Sequence, residues 1–317
     1  MFELPPYRFI INPKSGTGND AAVIARLRAA LIDRGHHVEV SLTRSLAHGE
    51  ELAHEATQKG LHVAAAGGDG TIRAVVAGLA GSEPPLLVMP TGTENLLAQE
   101  FGIDLSVRTA LACIDHPHPR SLDLGTVNGR HFMAIVGIGY DAQVIGCLQR
   151  FRTGHITHGD YVWPICRTFW EHRIPHVRIH ADGQLICDSP AQVLIGNTSR
   201  YAMGLPVVPG ADPSDGLLKV SVYRYRRHRQ LFAHALRTIC HCAARSPLVS
   251  YHDVKTLRIE SPDADVAVQI DGDPGPALPL DIEIEPNAVR VLTPPPPPGY
   301  QFHPPLKHYH LRRWFLS

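Results

Sequence analysis

A Rossmann-like α/β domain followed by a C-terminal antiparallel β-sandwich domain is the fold class this sequence predicts. Three observations lead there. Strand-period and helix-period segments alternate up to about residue 90. Beyond about residue 121, short strand candidates separated by turn residues take over. Three Gly-rich loops each follow a predicted parallel strand. The 317 residues allow two domains. With 44% hydrophobic and 19% charged residues, the chain can build a core, which excludes a mainly disordered protein.

Residues 7–12 (YRFIIN) form a short buried strand, and Pro13 to Asn19 a loop. In AAVIARLRAALIDRG, Val23, Ile24, Leu27, Leu31 and Ile32 recur at helical spacing, and Gly35 stops the helix. Residues 37–42 and 61–66 are strands that flank a helix at 48–59. Gly67-Gly68-Asp69-Gly70 is a turn, Thr71 to Leu79 a helix, and 86–89 a fourth strand. This alternation predicts a parallel sheet covered on both faces. Later strands are expected at 121–127, 131–137, 176–181, 184–187, 191–196, 217–223, 254–260, 266–271, 281–284 and 288–292. Helices are expected near 141–151, 159–172 and 228–243. The resulting division is a first domain at 1–125, a β-rich domain at 126–293, and a Pro-rich, then basic and aromatic tail at 294–317.

Charge and motif content exclude other classes. The 30 Lys+Arg balance 30 Asp+Glu, which argues against a nucleic-acid coat. The balance is a cancellation. Residues 1–125 hold 10 basic and 14 acidic residues, residues 126–317 hold 20 and 16, and residues 142–245 hold 13 and 6. The run Tyr223-Arg-Tyr-Arg-Arg-His-Arg229 fits anionic headgroups or a solvated strand end. The aromatic stretch 161–170 fits an acyl-pocket border or ordinary core. No uncharged apolar run reaches roughly 18 residues, so no transmembrane helix is expected. The N-terminus lacks the basic and apolar regions of a Sec signal peptide. None of the six Cys forms CxxC, and Cys240 and Cys242 diverge on a helix, so reduced cytoplasmic thiols are expected.

The chemistry lies in the loops Asn12–Gly18, Gly67–Thr71 and Pro90–Asn95. Glycine lets backbone N–H groups approach phosphate oxygens, and a following helix N-terminus adds partial positive charge. Three such loops at strand ends predict a polyphosphate site. There is no Walker GxxxxGK[ST] sequence. Gly137-Ile-Gly139-Tyr-Asp-Ala142 matches GxGxxA but lies outside a βαβ unit, and is better read as a tight turn than as a dehydrogenase fingerprint.

The segments NPKSGTG, GGDGT, PTGTENLLAQEFGI, SLDLGTVNGRHFMAIVGIGYDAQV, DPSDGLLKV and VQIDGD, spread from about residue 8 to residue 292, together resemble the diacylglycerol-kinase-like lipid kinases. That group includes relatives of sphingosine and ceramide kinases. NAD kinases share GGDGT, whereas the NPxSG loop and the late SDG and DGD motifs favour the lipid kinases.

The resemblance implies an ATP- and Mg²⁺-dependent kinase acting on a hydroxyl of diacylglycerol or a sphingoid-type lipid. By similarity, Asn12, Pro13, Lys14, Ser15, Gly16 and Thr43 line the nucleotide. Gly67, Gly68, Asp69, Gly70 and Thr71 wrap the phosphates, with Thr93, Glu94 and Asn95 also near them. Asp69 fits a place by the catalytic Mg²⁺, Asp123 a metal–water network, and Asp212 with Asp215 a second Mg²⁺ site. The general base belongs to Asp271-Gly272-Asp273, with both carboxylates as candidates. One departure stands out: the common pattern is GTxND, but Leu96 follows Asn95 here, so Glu94 would have to replace the missing Asp. A lipid substrate and a peripheral membrane surface are the implied partners, with no nucleic acid and a homodimer left open. The alternatives are an NAD kinase and a non-catalytic lipid-binding relative.

Overall fold

The computed structural model describes residues 4–150, 162–199, 207–239 and 246–295. Tyr161, Cys240 to Cys242 and the tail beyond residue 295 lie outside them. Strands β1 (Tyr7–Ile11), β2 (Val38–Leu42), β3 (His62–Gly67) and β4 (Leu86–Pro90) form a parallel sheet in the order β2-β1-β3-β4. Helices α1 (Gly18–Asp33), α2 (Leu46–Gln58) and α3 (Asp69–Leu79) connect them. Side chains alternate across each strand. Tyr7, Phe9, Ala64, Ala66, Leu87 and Met89 therefore pack with Ile24, Leu27 and Leu31 of α1. Ile10, Val63, Ala65 and Val88 face the other way, onto α2 and α3.

Local chemistry sets the helix starts. Thr17 and Asp20 form a capping box on α1. Ser45 caps α2 by accepting the His48 N–H at 3.1 Å. Two further helices, α4 (Leu96–Phe101) and α5 (Val107–Asp115), were not expected from periodicity. At six residues, α4 is too short to show a period. It begins at Asn95 (φ 52°) and ends at Gly102 (φ 67°). Ser106 caps α5 through the Thr109 N–H.

The second half contains β5 (His118–Val127), β6 (Arg130–Phe132), β7 (Ile135–Ile138), α6 (Tyr140–Arg150), α7 (Val162–Glu171), β8 (His176–Ala181) and β9 (Gln184–Gly196). They are followed by β10 (Leu218–Arg224), α8 (His228–Ile239), β11 (Val249–Val254), β12 (Thr256–Glu260), β13 (Val268–Ile270), β14 (Asp273–Pro274) and β15 (Leu280–Thr293). The start of β9 pairs with β8 and its end with β7 and β10, so one strand serves both layers of the sandwich. Val177, Ile179, Val193, Ile195, Val220, Val222, Ile259 and Ile282 fill the space between them. β15 begins beside β12 and ends with Val291 alongside Leu86 of β4. The last described strand thereby extends the N-terminal sheet.

Two expected strands are broken for one reason. The single strand expected at 131–137 is two strands, because the N–H groups of Met133 and Ala134 bond to the Asp271 carboxylate instead of a ladder partner. The strand expected at 254–260 divides at Lys255, whose N–H goes to Asp182. Conversely, 184–187 and 191–196 merge into β9. Segments 281–284 and 288–292 merge into β15, whose register shifts between Glu285 and Val289.

Two predictions follow from this packing. A Cβ on Gly78 would lie 2.3 Å from the Glu50 carbonyl oxygen, where α3 crosses α2. Gly78→Ala should cost about 1–3 kcal/mol of stability, read by urea denaturation. His172 is buried, its ring nitrogens bonded to Gln143 Oε1 (2.7 Å) and the Tyr225 hydroxyl (2.6 Å), and burial pushes its pKa down to about 4. An unfolded His titrates near 6.5, so the neutral folded ring loses stability progressively as pH falls from about 6.5 towards 4. His172→Gln should show a shallower loss across that window in pH-dependent melts. The comparison with wild type cancels buried carboxylates, whose shifts act in the opposite sense.

Candidate active site

The three Gly-rich loops converge at the C-terminal ends of β1, β3 and β4. Asn12 Nδ2 donates to Thr71 Oγ1 at 2.9 Å, tying the first loop to the second. Ser15 Oγ donates to the Thr91 carbonyl at 3.2 Å, tying the first to the third. The second and third loops touch backbone to backbone: a Cβ on Gly92 would stand 2.5 Å from Gly68 Cα. Gly16 has φ +83°, and a Cβ there would meet Thr91 Cβ at 2.9 Å. Gly67 has no room for a side chain beside Thr71, and Gly70 lies in the first turn of α3. The Asn95 side chain closes the third loop on itself, donating to the Gly92 carbonyl and accepting the Gly92 N–H.

Beside this junction is a cavity of about 200 Å³ lined by Asn12, Lys14, Thr43, Arg44, Ser45 and Thr71, among others. Lys14 and Arg44 give it two exposed cations. Pro13 and Thr93 lie exposed on their loops, and Glu94 is half-buried. A larger open depression, of about 530 Å³, lies on the β8, β12 and β15 strands and shares no residue with these loops. Its Arg258 is already paired with Glu260 and Asp281.

Asp69 is the first residue of α3, and its Oδ1 accepts the Leu96 N–H at 2.6 Å. Leu96 thus offers its backbone at the position where the common pattern has an Asp side chain. Burial pushes the Asp69 pKa up. The Leu96 and Asn95 N–H groups oppose that shift, and the charges of Glu94 and Asp271 add to it. The charges of Asp69 and Asp271 thus act on each other between α3 and the end of β13.

Asp271 has φ 49° and Gly272 φ 82°, a left-handed turn at the end of β13. Asp271 Oδ2 accepts the Met133 N–H at 2.7 Å, and Oδ1 accepts those of Ala134 and Ile135, each at 2.8 Å. Asp271 is half-buried, and desolvation of its carboxylate raises its pKa. Arg73 and the three N–H donors pull in the other direction. Arg73, one turn beyond Asp69 on α3, reaches the same turn. It donates to the carbonyls of Ile270 and Asp271 and pairs with Asp273. Gln149 of α6 donates to the Gly272 carbonyl at 2.7 Å and to Asp273 Oδ1 at 3.1 Å. Gln269 accepts the Gly272 N–H and donates to Asp141.

Asp123, Asp212 and Asp215 lie apart from this junction. Asp123 is buried, and its two oxygens accept the N–H groups of Gly216 and Asn287, both at 2.7 Å. Asp212 accepts from Ser214, and Asp215 accepts the Leu217 N–H. Burial, then the charges of Asp212 and Asp123, raise the Asp215 pKa. Both Asp123 oxygens are thus taken by backbone N–H groups, whereas Asp212 and Asp215 are each bonded through Oδ1. Among the described residues, no group of three or more His, Cys, Asp or Glu is placed to hold a metal.

Arg44, Arg73, Gln149 and Gln269 were missed from the sequence. Arg73 carried one usable signal, its i+4 spacing from Asp69, which puts both on one helix face. The two glutamines carried none, because their partners are more than 100 positions away or lie on a turn whose shape the sequence leaves open.

Residues 6–127 match the profile described as diacylglycerol kinase catalytic domain, and residues 134–293 the one described as YegS C-terminal NAD kinase beta sandwich-like domain. A diacylglycerol kinase of Mycobacterium tuberculosis is 30% identical over 295 residues, covering 90% of this chain and 94% of that protein. A protein of Chromohalobacter salexigens named probable lipid kinase YegS-like is 27% identical over 273 residues, covering 84% and 86%. A crystal structure of a diacylglycerol kinase from Bacillus anthracis superposes with a TM-score of 0.69 at 21% identity, covering 93% of this chain and 99% of that one. At that identity the superposition speaks for the fold alone.

The three N–H bonds to Asp271 make it structural as well as chemical. Asp271→Ala strands three donors and should destabilise the protein by on the order of 3 kcal/mol. Asp271→Asn keeps one acceptor and should lose less. Urea unfolding of both variants checks the order.

Proposed function

The chain belongs to the diacylglycerol-kinase-like lipid kinases, and on that footing we propose that it transfers the γ-phosphoryl group of ATP, with Mg²⁺, to a hydroxyl of diacylglycerol or a related sphingoid-type lipid. The observation that carries this reading is the convergence of three Gly-rich loops around Asp69, with Arg73 of the same helix gripping the turn that carries Asp271. Backbone N–H groups and the start of α3 would receive the phosphates, with Lys14 and Arg44 beside them.

Mg²⁺ characteristically takes one or two carboxylates together with substrate phosphates, so a single half-buried carboxylate at the phosphate loops suits it. Asp69 would meet the ion there, and the ion would supply charge compensation for the transferring group. A second, structural Mg²⁺ site at Asp212 and Asp215, with Asp123 beside them, stays part of the proposal and is separate from the transfer step.

Phosphoryl transfer needs the lipid hydroxyl held in place and its proton accepted as the oxygen bonds to phosphorus. We assign the base to Asp271. A carboxylate offers about four lone-pair sites, and three N–H bonds leave one. Those bonds fix its direction, while burial raises its pKa and so its appetite for a proton. Asp273 is held by Arg73 and Gln149 and acts as the bracket that keeps the turn closed.

The test is incubation of purified protein with labelled ATP, Mg²⁺ and a mixed lipid extract, with NAD offered in parallel. A labelled lipid supports the reading, and label in NAD alone overturns it. Asp271→Asn should lower kcat/KM by about a hundredfold or more, and Asp273→Asn by less. The raised pKa places the acid limb of the wild-type pH profile above the ordinary carboxylate value of about 4. That limb should vanish from the residual activity of Asp271→Asn.

A further inference from the structure

We propose that the segment Gly137-Ile-Gly139-Tyr-Asp-Ala142 is the seat of the 271–273 turn, with Asp141, Gln269 and Gln149 as positioning residues for the Asp271 carboxylate. The segment has the letters of a dinucleotide fingerprint, but its glycines serve another purpose. Gly137 on β7 stands opposite Gln269 on β13. A Cβ at 137 would lie 2.2 Å from Asp141 Oδ2 and 2.8 Å from Gln269 Nε2. Those two atoms are joined by a hydrogen bond of 2.9 Å, which fills the space that a side chain would need. A phosphate cannot use that space as it would in a dinucleotide site, because the protein's own side chains occupy it. Gly139 takes φ +101°, turning the chain from β7 into α6. Its N–H donates to the Ala267 carbonyl at 3.0 Å, just before β13. Asp141 therefore enters the first turn of α6 beside that strand.

The polarity of the first bond dictates the second. An ionised carboxylate only accepts hydrogen bonds, so Gln269 turns its amide nitrogen to Asp141. Its oxygen then faces the turn and accepts the Gly272 N–H at 2.9 Å. Gln269 is fully buried, so water cannot replace either partner. The Gly272 carbonyl is held from the same helix, where Gln149 donates to it at 2.7 Å. The peptide planes before and after the Gly272 Cα are thus both fastened to α6, one through Gln269 and one through Gln149. Asp271 hangs from the first of these planes. The direction of its carboxylate follows from where α6 holds that peptide. A loosened peptide would let the carboxylate drift, and misplacement by about 1 Å can cost on the order of a hundredfold in rate. The seat is a matter of hydrogen bonds alone, whereas its effect on turnover rests on the lipid-kinase reading.

The experiment is a reciprocal swap within the buried pair. Gln269→Glu sets one carboxylate against another and should lower kcat/KM by about a hundredfold. The loss should fall on kcat, with KM for ATP unchanged, because the phosphate loops are untouched. Adding Asp141→Asn should bring activity back to within about tenfold of wild type. The amide introduced at 141 then donates to the carboxylate introduced at 269, whose other oxygen accepts the Gly272 N–H. Gln149→Ala should lower kcat by about tenfold, again with KM for ATP and melting temperature near wild type. Full activity in Gln269→Glu, or no recovery in the double variant, would overturn the proposal. Should the Gln269 variants fold poorly, hydrogen exchange of wild-type protein carrying isotope-labelled glycine decides the matter. The Gly272 amide should exchange as slowly as that of Gly275, which donates to the Val268 carbonyl at 2.8 Å. Rapid exchange at Gly272 would equally sink the seat. A protected Gly272 in a protein that phosphorylates no lipid would leave the seat standing and remove the kinase reading.

Discussion

Three backbone N–H groups converging on the Asp271 carboxylate fix the turn of the sandwich that meets α3 of the first domain. Met133, Ala134 and Ile135 would otherwise sit at a strand break with no ladder partner, and a buried unpaired N–H is costly. The carboxylate satisfies all three, and in doing so is itself fixed at the end of β13. The bond set that ends β6 and begins β7 thus also aims the side chain to which we assign proton transfer. Fold and chemistry share one anion here.

The same device recurs at the other irregular points of the sheet. Asp182 takes the N–H of Lys255 where β11 gives way to β12. Asp123 takes those of Gly216 and Asn287 where β15 shifts register. Asn197 reinforces the second case by donating to the carbonyls of Asp123 and Met133. Each aspartate stands where regular pairing stops, and each lets a strand change partner. This is how a single strand such as β15 can begin in the sandwich and end in the parallel sheet.

Arg73 makes the two ends of the proposed reaction one mechanical unit. It stands on the helix that begins with Asp69 and grips the turn that carries Asp271 and Asp273. Gln149 ties the same turn to α6, and α6 rests on α7 through Tyr140.

Much of this was legible in the linear chain. Apolar period located β1 to β4 and α1 to α3, because a parallel sheet covered by helices imposes those periods directly. The glycines of the three loops marked the site, because a Cβ at Gly68 or Gly92 would push two loops apart. The family resemblance named Asp69 and the 271–273 turn. What sequence could not decide was how a carboxylate is used. Asp123, Asp212 and Asp215 look alike in a motif, yet both Asp123 oxygens face backbone donors from distant segments, whereas Asp212 and Asp215 bond within their own turn. Asp271 and Asp273 look equivalent two positions apart, yet one faces three N–H groups and the other an arginine. The helices α4 and α5, the break at Met133 and the grip of Arg73 were hidden for the same reason. Periodicity and motif record what a residue can do locally, whereas the partner of a buried polar group is chosen by chains that meet only in the folded state.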